Sequence, residues 1–356
     1  MFARRGALHV LPQAYHFMPM QTTTHTPLVR AATLTNFMEV AQGLGLNPLG
    51  LLREAGLSPA LLSDPEQRIP AASAVWLLER AATTTACLDF GLRMAESRQL
   101  SDFGAISLLI SHQRTLRDAL VVTMHYRHLL NDTIAMQLEN AGAFVVIREE
   151  VVATTPSRQA TELALGVLFR MCNAVMGGRW APQSVNFSHE APPDLTLHRR
   201  LFACRLEFGS EFNGIVCRAA DLDEPNPTAD PAMARFAQRF VESLPLVNEP
   251  SVVLDVRKAI YLMLPSGRAS TDYVAQALGT SVRTLQRQLD AAGTSFTGML
   301  NEVRCELAER YVTNPRYPLV RVSELLGYST PSSFTRWFIA QFGTPPQQWR
   351  QTRRQP

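Results

Sequence analysis

Hydrophobic positions recur along this chain at two different periods, and the change of period organises it. From residue 34 the spacing is helical: Leu34, Phe37, Met38 and Ala41 fall on one face, and Gly43 and Gly45 end the run. Pro48 opens a second helix through Leu51 and Leu52 to Gly56, and Ser58 with Pro59 reads as the cap and first turn of a short third. Pro70 starts another, in which Ala74, Leu77 and Leu78 face a core while Glu79 and Arg80 face water. Residues 116–130 are again helical. The period then drops to two: 133–138 and 144–152, separated by a turn signal at 140–142, read as a hairpin. A helix over 162–176 stops at Gly177 and Gly178. A strand is expected over 183–188 and a short helix over 195–202. Segments 205–208 and 214–217 read as a second hairpin, and Trp180 and Phe187 as core aromatics.

Pro225, Pro227 and Pro231 exclude a helix across 221–231. A connecting helix follows over 233–244, then a linker over 245–250. Every later element reads as helix. This predicts a flexible polar tail over 1–27 and an α+β domain over 28–231, helix-rich with a small sheet. A connecting helix and linker over 232–251 then lead to an all-α domain over 252–354.

The terminal domain carries a repeated local pattern. Val274, Ala275 and Leu278 lie at helical spacing, Gly279 supplies a turn free of a Cβ clash, and Ser281 caps the next helix. In that helix Val282, Leu285 and Leu289 form one stripe, Arg283 and Arg287 point away from it, and Gln286 sits at its edge. This is a helix-turn-helix over 271–290, which packs through one stripe and offers Arg and Gln to a groove. Arginine binds guanine edges bidentately and glutamine pairs with adenine. A second copy spans 322–342. Gly327 makes its turn, Ser329 or Thr330 caps, and Pro331 opens a helix with Phe334, Trp337, Phe338 and Phe342 buried. Ser332, Ser333, Thr335 and Arg336 fall outward. One helix over 296–312 joins the two copies, at roughly 25 Å a spacer that lets paired readers reach successive major grooves about 34 Å apart.

Charge follows this division. The 356 residues are 18% charged and 46% hydrophobic, with a net charge of +3. From Ser251 onward there are 13 basic and 7 acidic residues, a net +6; the first 250 residues hold 21 and 24, a net −3. A basic module on a mildly acidic body suggests a polyanionic partner. The hydrophobic share excludes wholesale disorder, and no apolar run suffices for a transmembrane helix. Five widely spaced cysteines argue against a disulfide framework and fit a reducing cytoplasm. His125 and His128, three apart, place two imidazoles on one helix face, but further metal ligands are missing nearby. No CxxC, P-loop, dinucleotide-binding glycine fingerprint or GxSxG elbow occurs, so no motif supports an enzyme and no cofactor is implied.

LGTSVRTLQRQLDAAGTSF and LLGYSTPSSFTRWFIAQFGTPPQQWR resemble the two halves of the AraC/XylS family DNA-binding domain. The resemblance covers about residues 252–353 and implies a seven-helix module binding double-stranded promoter DNA through both recognition helices. Carried over by position, it implies Arg283, Gln286 and Arg287, with Thr284 beside them, as the first reading set. Ser332, Ser333 and Arg336, with Thr335, form the second. Ile339 stands where many members carry a charged side chain.

LGLNPLGLLREAGLSPALLSDPEQRIPAASAVWLLERA, DFGLRMAE, ATELALG and FGSEFNGIVCRAADLDEPNP resemble the arabinose-binding-like N-terminal domain of some AraC-type regulators, not a cupin barrel. That implies effector sensing or oligomerisation. The leading expectation is a cytoplasmic transcription regulator, an activator meeting RNA polymerase, switched by a small-molecule effector and pairing as a homodimer. The alternative is a body that only oligomerises or binds a protein partner. A cavity lined by apolar groups and a few polar ones discriminates in favour of the effector.

Overall fold

In the computed structural model, residues 26–153, 157–244 and 251–353 are described. The expected linker over 245–250 and all but the end of the expected tail lie outside them. Seven short strands run through the N-terminal part: β1 (Leu28–Arg30), β2 (Arg68–Pro70), β3 (Ile134–Ala141), β4 (Phe144–Val151), β5 (Ser184–Phe187), β6 (Arg205–Phe208) and β7 (Gly214–Arg218). β1 and β2 pair antiparallel; the others form one sheet in the order β3-β4-β7-β5-β6.

The first expected hairpin forms as β3 and β4, paired in register from Ile134↔Val151 to Ala141↔Phe144. The second does not. β7 pairs with β4 and β5, while β6 lies at the far edge, parallel to β5. The helix Thr196–Phe202 between β5 and β6 supplies the crossover that parallel pairing requires. All four residues of β5 are buried, as an interior strand must be, whereas β6 is only partly covered.

Helices cover the inner face of this sheet. Val145, Ile147, Ile215 and Cys217 point from the sheet into a core shared with Leu116, Leu120, Leu165 and Cys172. Helix Ala71–Thr85 buries Ala74, Leu77 and Leu78 as its spacing predicts. Its Glu79 is not turned to water: the carboxylate accepts from the Gln159 backbone N–H at 2.6 Å, and burial raises its pKa to about 6. His125 ends helix Leu116–His125 and His128 lies in the following 3-10 turn, so they do not share a helix face; both rings contact Tyr126. Helix Pro231–Glu242 docks on the same core through Ala237 and Val241 and exposes Met233, Phe236 and Phe240.

Among the described residues the C-terminal part has seven α-helices: Val252–Met263, Thr271–Ala277, Val282–Ala291, Phe296–Thr313, Leu319–Leu325, Pro331–Phe342 and Pro346–Thr352. They enclose a second core containing Val274, Leu285, Leu289, Val303, Leu307, Val322, Phe334 and Phe338. Ala135 and Val152, on the outer face of the β3–β4 ribbon, are part of that core too.

Candidate nucleic-acid interface and internal cavity

Each helix-turn-helix is assembled by the same three local devices. In the first, Gly279 takes φ +65°, a region costly for any residue with a Cβ. The Ser281 hydroxyl accepts from the Thr284 N–H at 3.1 Å, satisfying a helix-end donor. Leu285 and Leu289 then anchor helix Val282–Ala291 in the core. In the second, Gly327 takes φ +73°, Thr330 accepts from the Ser333 N–H at 3.3 Å, and Phe334 and Phe338 are the anchors.

This arrangement turns Arg283, Gln286 and Arg287 outward, exposed and without a hydrogen bond or ion pair among the described residues. Thr284 is half-buried, its hydroxyl 2.9 Å from that of Ser281. In the second helix Ser332 and Arg336 are exposed, and Arg336 likewise has no described partner. Ser333 and Thr335 are half-buried; Ser333 accepts from the Thr330 hydroxyl at 2.9 Å, and Thr335 donates to the Pro331 carbonyl at 2.9 Å. Ile339 is exposed.

The 18-residue helix Phe296–Thr313, about 27 Å long, links the two units and is bonded to the second. Trp337 Nε1 donates to Asn301 Oδ1 at 2.6 Å, and Arg304 Nε to the Leu326 carbonyl at 3.0 Å, beside the Gly327 turn. One continuous core behind both recognition helices holds their spacing by packing.

The outer sheet face and the β6–β7 loop clasp this module. Arg310 Nη1 lies 3.3 Å from Glu150 Oε2, and Arg321 grips Glu211 through two bonds of 2.7 Å. Tyr311 donates to the Glu211 carbonyl at 3.2 Å and Tyr317 to that of Gly209 at 2.5 Å. Asn213 in the same loop donates twice to Glu150, at 3.1 and 2.7 Å. Burial works against the Glu150 charge, but Arg310, Arg148 and the Asn213 bonds hold its pKa below the usual range. Away from this loop, Arg127 donates to Asp255 of helix Val252–Met263 at 3.0 Å.

On the inner face of β3 and β4 lies a cavity of about 150 Å³. Its walls are mostly apolar, among them Val29, Ala74, Leu78, Met136, Leu163 and Met171. Arg30, Arg98, Asp102, Arg127 and Glu149 also line it. All but Glu149 are bonded within the protein, Asp102 by accepting from the Gln99 N–H at 2.9 Å. Arg30 pairs with Glu66 and donates to the Asp102 carbonyl at 2.9 Å; Arg127 meets Asp255; Arg98 donates to the carbonyls of Ala32 and Thr33. Burial lowers the Arg98 pKa to about 10.

Glu149 differs. It is buried, and no hydrogen bond to its carboxyl is made among the described residues. Burial first, then the neighbouring Glu150 charge, pushes its pKa up to about 8. Sequence reasoning passed over Glu149. The signal was present: in FVVIREEV, period two sets Glu149 on the same face as Val145, Ile147 and Val151.

No helix among the described residues is long and apolar enough to cross a membrane. The family model described as "Arabinose-binding domain of AraC transcription regulator, N-term" matches residues 45–226, and one described as "Helix-turn-helix domain" matches 274–352. The chain is 27% identical over 327 residues to the HTH-type transcriptional regulator VirS of Mycobacterium tuberculosis, covering 91% of this chain and 96% of that one. It is 23% identical over 328 residues to the Ornithine utilization regulator of Pseudomonas aeruginosa, with the same coverage. The Urease operon transcriptional activator of Escherichia coli is 33% identical over 91 residues, 26% of this chain and 31% of that one. These relatives are transcription regulators and not enzymes. The chain belongs to the AraC/XylS family of transcription regulators, with an arabinose-binding-type N-terminal domain ahead of a paired helix-turn-helix module.

Proposed function

We propose that this regulator reads promoter DNA with Arg283, Gln286 and Arg287 of the first recognition helix and Arg336 of the second. Thr284, Ser332, Ser333 and Thr335 serve the backbone or the helix caps. The observation that carries this reading is that all three arginines are exposed and unpaired among the described residues, on helices anchored in one core. An exposed Arg beside an apolar anchor suits bidentate contact with guanine in a major groove. Ser281 and Thr330 orient the N-terminal turns that such helices present to DNA.

Effector control is the second part of the proposal. A largely apolar cavity with a few polar groups sits one strand away from the module, and Arg127 in its wall bonds helix Val252–Met263 directly. A ligand that prefers one arrangement of this wall shifts the DNA-binding equilibrium by that preference. The sign of regulation is proposed as activation in the cytoplasm through RNA polymerase, in keeping with the relative named a transcriptional activator. The stripe Met233, Phe236 and Phe240, at helical spacing and exposed, supports pairing with a second copy.

Genome-wide mapping of DNA bound by the wild-type chain and by Arg283→Ala tests the reading. Discrete sites that weaken in the variant are expected. An unchanged map eliminates the first helix as reader. Repeating the map with extracted cellular small molecules added to the purified protein tests the effector part separately.

A further inference from the structure

We propose that the cavity accepts a compact, mainly apolar molecule bearing one amine, and that Glu149 is the group that pairs with its ammonium. The proposal rests on the effector reading above and names the ligand's chemistry.

The argument begins with an imbalance. Among the charged groups lining the cavity, Arg30, Arg98 and Arg127 are already given to internal acceptors, of Arg98 only Nε lacking one, and the Asp102 carboxylate accepts from the Gln99 N–H at 2.9 Å. Glu149 is only 6% exposed, and its Oε2 has no partner among the described residues. A buried carboxyl left unpaired is costly, and Glu149 stands on a strand face whose other residues, Val145, Ile147 and Val151, are buried and apolar. The charge that acts on it comes from Glu150, of the same sign. What Glu149 lacks is a cationic partner: the three arginines in the wall bond other groups, and only a cationic ligand can pair with its carboxylate.

Size limits the ligand. A cavity of about 150 Å³ matches a benzene-sized body. The amine enters as its ammonium and Glu149 loses its proton to solvent, which leaves a charge pair inside low-dielectric walls.

Strand alternation makes this position informative. Glu149 faces the cavity, and its neighbours Arg148 and Glu150 face the DNA-binding module. The Glu149 N–H donates to the Asn213 carbonyl at 3.0 Å, and Asn213 in turn binds Glu150. A charge pair formed at Glu149 therefore acts on the backbone that positions Glu150 against Arg310.

The test titrates full-length protein with benzylamine, benzyl alcohol and benzoate, by calorimetry and thermal shift. Wild type is compared with Glu149→Gln and Glu149→Leu. Benzylamine is expected to bind wild type about tenfold or more tightly than the other two, and to lose that margin in both variants. Both unliganded variants are expected to melt at or above wild type, since neither carries the unpaired carboxyl. Equal binding of amine and alcohol, unaffected by the variants, overturns the amine assignment and leaves the effector cavity standing. No binding by any of the three overturns the ligand site itself, whereas the effector reading falls only if cellular small molecules also leave DNA binding unchanged. Unliganded variants that melt well below wild type also overturn the proposal, because Glu149 is then a structural group.

Discussion

Arg321, on the first helix of the second helix-turn-helix, holds the Glu211 carboxylate through two hydrogen bonds of 2.7 Å each. Glu211 lies on the loop that also presents the Gly209 carbonyl to Tyr317 and Asn213 to Glu150. A five-residue loop of the N-terminal domain thus meets three helices or turns of the DNA-binding module.

Glu211→Gln removes the charge and weakens the fork. Both partners are partly solvated, so global stability is expected to fall by no more than about 1 kcal/mol. Local opening rises more. Amide exchange over residues 209–213 is expected to speed up severalfold, while the core of helix Phe296–Thr313 stays protected. Equal acceleration in both regions shows instead that the loop and the core open together.

Ser281 and Thr330 are the helix caps that set the recognition helices. Replacing either by Ala is expected to cost about 0.5–2 kcal/mol in urea unfolding of the full chain, with little change in its m-value. No loss in either variant means that the hydroxyls do not set these helix starts. Gly327→Ala tests the turn itself. Its φ is +73°, and an added Cβ meets Leu264 at 3.1 Å, so a larger loss than at the caps is expected.

The Glu149 carboxyl gives stability a definite pH slope. Its folded pKa is about 8 against a usual 4.5. The folded state therefore keeps a proton that the unfolded chain releases across this window. The contribution is full below the lower value and falls as pH rises towards the upper one. Measured against Glu149→Gln, wild-type stability is expected to decline between pH 5 and pH 8 by up to ~1.4 kcal/mol per unit. Parallel pH profiles of the two proteins contradict the assignment.

Phe236 and Phe240 are exposed one helical turn apart on helix Pro231–Glu242, whose other face packs through Ala237 and Val241. Phe236→Glu with Phe240→Glu is expected to shift sedimentation velocity towards a single-chain species without changing the melting temperature by more than a few degrees. A wild-type chain that is already single at micromolar concentration rules this face out as a dimer contact.

The helix-turn-helix units were legible in the sequence because their determinants are local: a glycine with positive φ, a capping hydroxyl two or three residues later, and anchors four residues apart. The β3–β4 hairpin was legible for the same reason, although its two-residue loop is Gly142–Ala143, one residue beyond the sequence signal. The misreading of β6 and β7 shows where local signals end. Five residues separate the two strands and match a hairpin loop, but β5, earlier in the chain, enters beside β7 through pairings that no local spacing encodes. The Arg321–Glu211 and Arg310–Glu150 pairs join residues at least 110 positions apart and left no pattern either. Arg283, Arg287 and Arg336 were legible as exposed because each sits off an apolar stripe. Glu149 was legible from strand alternation, which sets it on the face of Val145, Ile147 and Val151, but the absence of a partner for its carboxyl depends on tertiary neighbours that no local spacing encodes.

Fluorescence anisotropy on a mapped promoter fragment, at several salt concentrations, tests the central claim most directly. Wild type is compared with Arg283→Ala, Arg287→Ala and Arg336→Ala. Each first-helix variant is expected to lose about 1–3 kcal/mol of binding and to discriminate less between the promoter and scrambled DNA. Arg336→Ala is expected to weaken binding as well, and a lower salt slope with unchanged discrimination marks it as a phosphate contact. Full affinity and full discrimination in all three variants contradict the account, because DNA is then read by some other surface.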